Sequence, residues 1–534
     1  MRLRWPAIIV LACLAGGMLG VGIWAGFIRE AARLPKPLSV PVGDREIVWL
    51  NNTTSGDGWS LFVIGIKRIE MPVNGQPSGL SVDDSNAFPV QSTDVPELVV
   101  SRAGTVGKLH IRWYKVSSES PIEDWVTALA NREPAPLAII GGSTSDWAQK
   151  LAEALDARES WHGDRPLFFI TTATLDTVDS VQDTSGSFPK FSDRMLIDLY
   201  PHRSFRFCFS NSQMVRAVSD YVMRDPTLRP GPTNWPEARL VGTAAAGPWN
   251  LLPGAAPLAI KPVIFPLKWL DDTYSEDLYE QFRIHLFNKL EETSGSQISH
   301  DPAFEIPFSI GGFTRPNEGE AAAVREILKD LPPTGERSLL VIPTGSSGPA
   351  RRVLLALSER VPQAGRRLVA ITGDGFSVNT FYRDAEWSWP ARSIPIPMVL
   401  FAHDNPFGWD AADDSRPPPG YRLVQKTTSE EVRLDTLIGR MTCDAVFHGN
   451  AIASHADEVA ERLRSRSDKF FDDRGNRRGL SGEHVAVVRP AMRYGDIAPG
   501  SPKPESIVEV YRREDDGRTW TKVGVVQVRP EATE

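Results

Sequence analysis

The stretch that decides the fold runs from Leu137 to Thr174 and reads LAIIGGSTSDWAQKLAEALDARESWHGDRPLFFITTAT. An apolar strand pattern, LAIIGG, is followed by polar residues and then by a helical pattern, WAQKLAEAL. A second apolar strand pattern, PLFFI, ends in another hydroxyl-rich run. Two strands joined in this way by a helix predict a βαβ unit, with a crevice at the carboxyl ends of its strands.

The hydroxyl-rich turn after the first strand is a candidate ligand site. Ser143, Thr144 and Ser145 stand where the helix begins, and the glycines before them allow close backbone approach. Free backbone N–H groups and hydroxyls at such a point can receive a carboxylate or another anion. An ordinary helix N-cap would have the same sequence, so both interpretations stand at this stage.

Composition excludes several classes of protein. The chain has 534 residues, of which 41% are hydrophobic and 24% charged, which is globular and enough for two or three domains. A formal net charge of -8 argues against a nucleic-acid partner. The three cysteines form no zinc-binding spacing, and no metal or cofactor is predicted. A disulfide between Cys208 and Cys443 is conceivable outside the cytoplasm, although buried thiols are favoured.

The N-terminus predicts a membrane segment. Residues 6–28 carry no charge and are long enough to cross a bilayer as one helix. We favour an uncleaved signal anchor over a cleaved signal peptide, or over a lipoprotein processing box ending at Cys13. Arg2 and Arg4 favour a cytoplasmic N-terminus. The expected location is the cell membrane, single-pass, with the main domain on the extracytoplasmic (periplasmic) side.

Strand and helix patterns alternate along two long runs of the chain. The first begins with the strand pattern REIVWLNN at 45–52, and the second runs from PVIFPLKWL to RLVAITGDG. This alternation predicts an α/β fold with parallel sheets. Residues 72–107 read as a loop, whereas HVAVVRP, SIVEVYRRE and TWTKVGVVQV alternate as antiparallel strands do.

The order of these elements resembles the type I periplasmic binding proteins, the family of leucine/isoleucine/valine-binding proteins and related ABC transporter substrate-binding proteins. The resemblance covers Arg45 to Arg489 and is carried by AIIGGSTSDWAQKLAEAL, PLFFITTAT, FRFCFSNSQMVRAVSDYV, IFPLKWLDDTYSEDLYEQFRIHL and LVAITGDGFS. It implies two lobes, each a doubly wound parallel sheet, joined by three crossovers and closing by a hinge.

With the N-terminal transmembrane helix and a β-rich C-terminal extension, this gives the predicted architecture. The expected division is residues 1–36 for the cytoplasmic tip, anchor and stalk; 37–209 for lobe 1; 210–372 for lobe 2, with an inserted loop at 225–261; 373–468 for a return segment mainly in lobe 1; and 469–534 for the β-rich segment.

The resemblance also implies a set of ligand-binding residues. Ser143, Thr144 and Ser145 match the loop that takes the ligand carboxylate, and Ala173 and Thr174 match the loop that meets the ligand's other end.

Asp374 stands where the family often places an acidic group for the ammonium, and Trp59 where an aromatic ring covers the ligand. At the end of SLLVIP the family often has another aromatic residue, for which Trp269 or Tyr274 could substitute here. From spacing alone, Asp374 is a turn residue and Trp59 a packing residue.

The sequence predicts a binding protein and no enzyme, with no catalytic residues. No G-x-S-x-G motif accompanies His403, and the turn at 345–348 lacks the lysine of a phosphate-binding loop. The predicted function is a membrane-anchored extracytoplasmic solute-binding protein for an amino acid or a similar small polar solute. Its expected partners are that ligand and an ABC permease or another membrane protein. A sensor or adaptor that does not transport is the alternative, and a cell-envelope hydrolase is a third.

Overall fold

The structure is a computed structural model that describes residues 34–73, 75–91, 93–179, 191–232, 263–270, 272–294, 304–307, 315–331, 336–361, 364–375, 396–406, 430–466, 468–479, 482–490 and 506–528. The predicted signal anchor and most of the predicted inserted loop lie outside these residues. Within them, no helix is long and apolar enough to span a membrane.

Strands and helices alternate along most of the described chain. The strands are β1 (Arg45–Asn52), β2 (Leu80–Asp83), β3 (Glu97–Arg102), β4 (Leu109–Val116), β5 (Ala138–Gly141), β6 (Leu167–Ile170), β7 (Thr177–Asp179), β8 (Phe191–Met195), β9 (Ser204–Arg206), β10 (Gly231–Pro232), β11 (Ile264–Leu270), β12 (Phe304–Pro307), β13 (Glu336–Val341), β14 (Leu368–Ile371), β15 (Met398–Ala402), β16 (Phe447–His448), β17 (Ala451–Ile452), β18 (His484–Pro490), β19 (Ser506–Arg513) and β20 (Trp520–Val528). The α-helices are α1 (Gly56–Lys67), α2 (Ile122–Ala130), α3 (Ser145–Ala157), α4 (Asn211–Arg224), α5 (Thr273–Phe282), α6 (Asn288–Ser294), α7 (Glu318–Asp330), α8 (Ser347–Arg360), α9 (Ala364–Arg367), α10 (Glu430–Val446) and α11 (Ala456–Arg464).

Lobe 1 is built on a sheet with the order β2-β3-β4-β1-β5-β6-β9. Its strands from β4 to β9 are parallel, as predicted, while β2 and β3 pair antiparallel at the edge. The prediction that residues 72–107 form a loop is therefore wrong for these two strands. Both pack inward, because Val82, Leu98 and Val100 are buried in the lobe 1 core.

Lobe 2 is built on a sheet with the order β12-β11-β13-β14-β15-β18-β19-β20. The strands from β12 to β15 are parallel, and β18, β19 and β20 continue the sheet in antiparallel fashion. Two parallel α/β lobes were predicted, and the topology confirms them. The β-rich C-terminal segment is part of lobe 2, because Val508 and Val510 bury their side chains in its core.

The described elements pass between the lobes three times. The first crossover, residues 207–210, joins β9 of lobe 1 to α4, which packs on lobe 2. The second begins at His403, after β15 in lobe 2, and the next described element, α10, packs against α1 in lobe 1. The third lies between α11 in lobe 1 and β18 in lobe 2 and includes the described residues 468–479. Within the predicted return segment, β15 thus belongs to lobe 2, and α10 and α11 pack on lobe 1.

Candidate functional site

A cleft of about 530 Å³ lies where the carboxyl ends of the parallel strands of both lobes face one another. Its lining comes from the loops after β5, β6, β11, β13, β14 and β15 and from the first turns of α10. The residues are Ser143, Thr144, Ser145, Asp146, Thr172, Thr174, Asp272, Thr273, Tyr274, Gly345, Ser346, Asp374, Gly375, His403, Glu430, Glu431 and Leu434.

The lobe 1 wall contains the predicted hydroxyl loop. Thr144 is the N-cap of α3, and its Oγ1 accepts the Trp147 backbone N–H at 3.3 Å. The Ser143 hydroxyl donates to Asn51 Oδ1 at 3.4 Å, and the Thr172 hydroxyl donates to the Ser143 carbonyl at 3.0 Å. The loop is therefore both an N-cap and part of the cleft wall, which makes the two interpretations of the sequence compatible.

On the lobe 2 wall, two neighbours hold the carboxylate of Asp374. The Tyr274 hydroxyl donates to Oδ1 at 2.7 Å, and His403 Nε2 lies 2.6 Å from Oδ2. Burial and the adjacent Asp374 charge raise the pKa of Tyr274 well above its usual value, so the phenol stays protonated as a donor. The carboxylate is thereby fixed in orientation at the end of β14.

Six of the eight residues predicted to bind a ligand line this cleft, namely Ser143, Thr144, Ser145, Thr174, Tyr274 and Asp374. The other two do not. Trp59 is 1% exposed in the lobe 1 core, and its Nε1–H donates to the Ala87 carbonyl at 2.8 Å. Ala173 is 1% exposed and packs in a second core cluster of lobe 1. Ligand contact by the six cleft residues stays a prediction.

The position of Trp59 corrects the expectation that it covers a ligand. Its ring centroid lies 5.3 Å from that of Trp49 and 5.8 Å from that of Trp113, so the three rings form one aromatic cluster between α1 and the sheet. An aromatic residue in the first loop can reach a cleft only if its ring points away from the sheet. Here the apolar face of α1 turns the ring inward.

Sequence reasoning missed much of the acidic lining. The sequence predicts no ligand role for His403, Glu430 or Glu431, and all three line the cleft. In the structure, the His403 backbone N–H donates to Glu430 Oε2 at 2.9 Å. Burial and the neighbouring Glu431 raise the pKa of Glu430 well above its usual value. Burial, followed by the nearby Asp146 charge, also raises the pKa of Asp272.

Hydrogen bonds also join the two lobes beside the cleft. The Thr273 hydroxyl of lobe 2 donates to Asp146 Oδ1 of lobe 1 at 2.6 Å. Asp277 on α5 accepts the Asp176 backbone N–H at 3.0 Å and the Thr177 hydroxyl at 3.0 Å. These bonds hold the lobes together in the described conformation.

The described chain was also compared with the predictions for the cysteines and for a metal site. Cys208 and Cys443 are free, buried thiols rather than a disulfide, and burial raises the pKa of each to about 12. Among the described residues, no group of three or more His, Cys, Asp or Glu side chains is arranged to hold a metal ion.

Comparison with known proteins finds structural similarity at low sequence identity. No family model matches it, and no curated protein matches it. Similar solved structures are substrate-binding proteins of ABC transporters, of the leucine/isoleucine/valine-binding kind that the sequence resembles. The leucine-, isoleucine-, valine-, threonine- and alanine-binding protein from Brucella ovis, in its closed conformation, is 12% identical with a TM-score of 0.47; the match covers 91% of this chain and 95% of that one. A Desulfitobacterium hafniense ABC transporter substrate-binding protein in complex with Leu is 12% identical with a TM-score of 0.43, over 90% of this chain and 99% of that one. A Rhodopseudomonas palustris solute-binding protein in complex with p-hydroxybenzoic acid is 8% identical with a TM-score of 0.47, over 91% of this chain and 98% of that one.

Proposed function

We propose that this chain captures a small polar solute between its two lobes and is a binding protein rather than an enzyme. The observation that carries the proposal is the cleft itself, about 530 Å³ in volume and bounded by the strand ends of both lobes. That volume suits a small molecule, and the carboxyl ends of parallel strands are where α/β folds commonly bind ligands.

Capture would proceed by hinge closure about the three crossovers. An open cleft admits the solute, and the loops around Ser143 and Thr174 contact it from lobe 1. Asp374, oriented by Tyr274, contacts it from lobe 2. Closure follows if the solute binds the closed form more tightly than the open form. In the amino-acid version of this proposal, the carboxylate lies at Ser143 and the ammonium at Asp374.

Anchoring to a membrane and delivery to an ABC permease complete the proposal. The uncharged run at 6–28 supports the anchor. The segment that follows the anchor is tied firmly to lobe 1, since Arg112 and Arg132 both donate to the Leu38 carbonyl and the Leu38 backbone N–H donates to the Tyr114 hydroxyl. Such a short, fixed stalk would hold lobe 1 close to the bilayer.

A sensor or adaptor on the same scaffold is the second candidate. The observation that favours it is the antiparallel extension of lobe 2, whose last described strand, β20, pairs with β19 and ends the sheet. An edge strand can receive a partner chain. A hydrolase gains no such support, because His403 Nδ1 has no hydrogen-bond partner among the described residues and so no nucleophile is assembled there.

A thermal-shift screen of the full-length chain against amino acids, amines, organic acids and short peptides tests the proposed function. A solute at one hundred times its Kd should stabilise the protein by about 2.7 kcal/mol. Ser143→Ala and Asp374→Asn should reduce the shift. Ser81→Ala, on the exposed side of β2, and Asp330→Asn, at the exposed end of α7, are the matched controls. A folded protein that no solute stabilises would refute capture.

A further inference from the structure

Exposed apolar side chains gather at one edge of lobe 1. The described chain has ten exposed large hydrophobic residues, and six of them lie on the chain segments beside the edge of the lobe 1 sheet where β1 and β4 begin. We call this edge the amino edge. Exposed apolar residues scattered singly are ordinary, whereas a group of them on one surface marks a site of interaction. The six are Leu34, Leu38, Val42, Met71, Val73 and Val106.

Two adjacent turns carry the most exposed of these side chains. Val42 lies in the turn that leads into β1, and Val106 lies in the turn that leads into β4. The two turns touch, because a Cβ added to Gly107 would lie 2.5 Å from the Gly43 carbonyl oxygen. Val42 is fully exposed and Val106 is 80% exposed. Two valine side chains therefore project side by side into solvent.

Met71 and Val73 reach the same edge by another route. Helix α1 follows the carboxyl end of β1 and runs back along the sheet, so the residues after it lie at the amino edge. The Ala103 backbone N–H donates to the Gly79 carbonyl at 2.9 Å, which joins this stretch to the turn that carries Val106. The apolar surface thus lies opposite the cleft, which is at the carboxyl ends of the parallel strands.

The chain that comes from the predicted anchor is bound at this edge. The Leu38 backbone N–H donates to the Tyr114 hydroxyl at 3.0 Å, and Arg132 donates to the Leu38 carbonyl at 2.8 Å. Leu38 stands ten positions after Ile28, the last residue of the uncharged run. An extended chain of that length spans at most about 35 Å. An anchor at 6–28 would therefore keep the amino edge within this distance of the bilayer.

The charges at the amino edge suit an anionic lipid surface. Lys36 and Lys108 are exposed there. The nearby carboxylates already have partners in the protein, since Asp44 and Glu70 each accept a backbone N–H at 2.8 Å and Asp444 is paired with an arginine. Basic side chains are attracted to anionic headgroups, while apolar side chains beside them enter the boundary between headgroups and acyl chains.

We propose that the amino edge of lobe 1 is a membrane-contact surface, with the side chains of Val42 and Val106 entering the headgroup region beside the anchor. The proposal rests on the membrane anchoring in the proposed function and deepens it. The strands of lobe 1 would then run from the membrane towards the cleft. A strand of eight residues such as β1 is about 26 Å long, so the cleft would open about that far from the bilayer.

Site-specific fluorescent labels on the full-length chain test this surface. The chain is reconstituted into vesicles of phosphatidylcholine and phosphatidylglycerol, with one label on Val42→Cys, Val106→Cys or Val90→Cys. Val90 is the matched control, because it is also a fully exposed valine but lies between β2 and β3 at the opposite edge of the sheet. A quencher attached to the lipid headgroups should quench the labels at Val42 and Val106 at least about threefold more than the label at Val90.

All three variants also carry Cys13→Ser, and the remaining native thiols, Cys208 and Cys443, are buried. Equal quenching at the three positions, in protein that floats with the vesicles, would overturn the contact surface while the anchor stands. Labels at the amino edge that aqueous iodide cannot reach, and that the lipid quencher does not reach either, would show that a protein such as a second copy covers the edge, which would also overturn it.

Flotation separates this inference from the proposed function. A chain that does not float with the vesicles would overturn the anchor and the contact surface together. Capture of a solute is judged by the thermal-shift screen, whose result does not depend on any of these outcomes.

Discussion

His484 makes the stability of the fold sensitive to pH at the third crossover. It begins β18, is 5% exposed, and its Nδ1 lies 2.9 Å from the Gly482 carbonyl, to which it donates. Burial lowers the pKa of His484 to about 4, although the Asp404 charge opposes the shift. The imidazole is therefore neutral in the folded protein at neutral pH.

The sign and the size of the effect follow from this pKa. Below the unfolded value of about 6.5, the unfolded chain binds a proton that the folded chain does not bind. Stability is therefore lost as pH falls from about 6.5 to about 4, and His484 causes no further loss below that. At about 1.4 kcal/mol for each unit by which the two pKa values differ, the full loss is about 3 kcal/mol.

Replacing His484 with Asn tests this reasoning, because the Asn amide can still donate to the Gly482 carbonyl. Urea unfolding of the parent and of His484→Asn, followed at about pH 7.5 and about pH 4.5, gives the change in stability with pH for each. The parent should lose about 2.5 kcal/mol more than the variant over this range. His162→Asn, which removes an exposed imidazole, is the control, and it should lose as much stability between the two pH values as the parent does. Equal losses in the parent and His484→Asn would refute a neutral, buried His484.

Three further substitutions test the packing that shapes the lobes. Arg352→Met should lower the free energy of urea unfolding by about 3–5 kcal/mol, because it leaves the fully buried Glu320 carboxylate without the guanidinium whose Nε and Nη2 now donate to it at 2.7 and 2.6 Å. Adding Glu320→Gln to this variant should recover part of the lost stability. Gly375→Ala should lower the free energy of unfolding by about 3 kcal/mol and weaken solute binding, because the new Cβ would lie 1.8 Å from the Thr344 carbonyl oxygen. An unchanged melting temperature would count against this close approach. Asp277→Asn should stabilise the protein at neutral pH and much less at low pH. Burial raises the pKa of Asp277, so its ionised form lowers the stability of the folded protein at neutral pH, and Asn removes that charge. Destabilisation at every pH would contradict this.

Local patterns predicted the lobe 1 wall of the cleft well. The strand, hydroxyl turn and helix around Ser143 depend on residues close together in sequence, and periodicity with capping rules is enough to place them. The resemblance placed Tyr274 and Asp374 on the opposite wall. Strands β2 and β3 were missed because they are short and lie in a polar, turn-rich stretch, and their pairing depends on the distant β4.

Local sequence patterns do not predict where Trp59 and Glu430 lie in the folded protein. A tryptophan after the first strand has the same sequence signature whether it covers a ligand or fills the core, and only the packing of Trp49 and Trp113 against it distinguishes the two. Glu430 reaches the cleft because the second crossover returns the chain to lobe 1, 256 positions after Thr174. The acidic lining of the cleft depends on the topology of the chain, and no single sequence motif predicts it.

His403 connects the cleft to the crossovers between the lobes. Its imidazole contacts Asp374 in the cleft and stacks on Phe209 of the first crossover, with ring centroids 6.2 Å apart and planes at 11°. Arg477 of the third crossover lies 3.9 Å from the centre of the same Phe209 ring and donates to the Phe207 carbonyl at 3.3 Å. All three crossovers therefore meet around Phe209. Because His403 begins the second crossover and also contacts the Asp374 carboxylate, the proposed solute, if it draws this carboxylate towards itself, would act directly on that crossover.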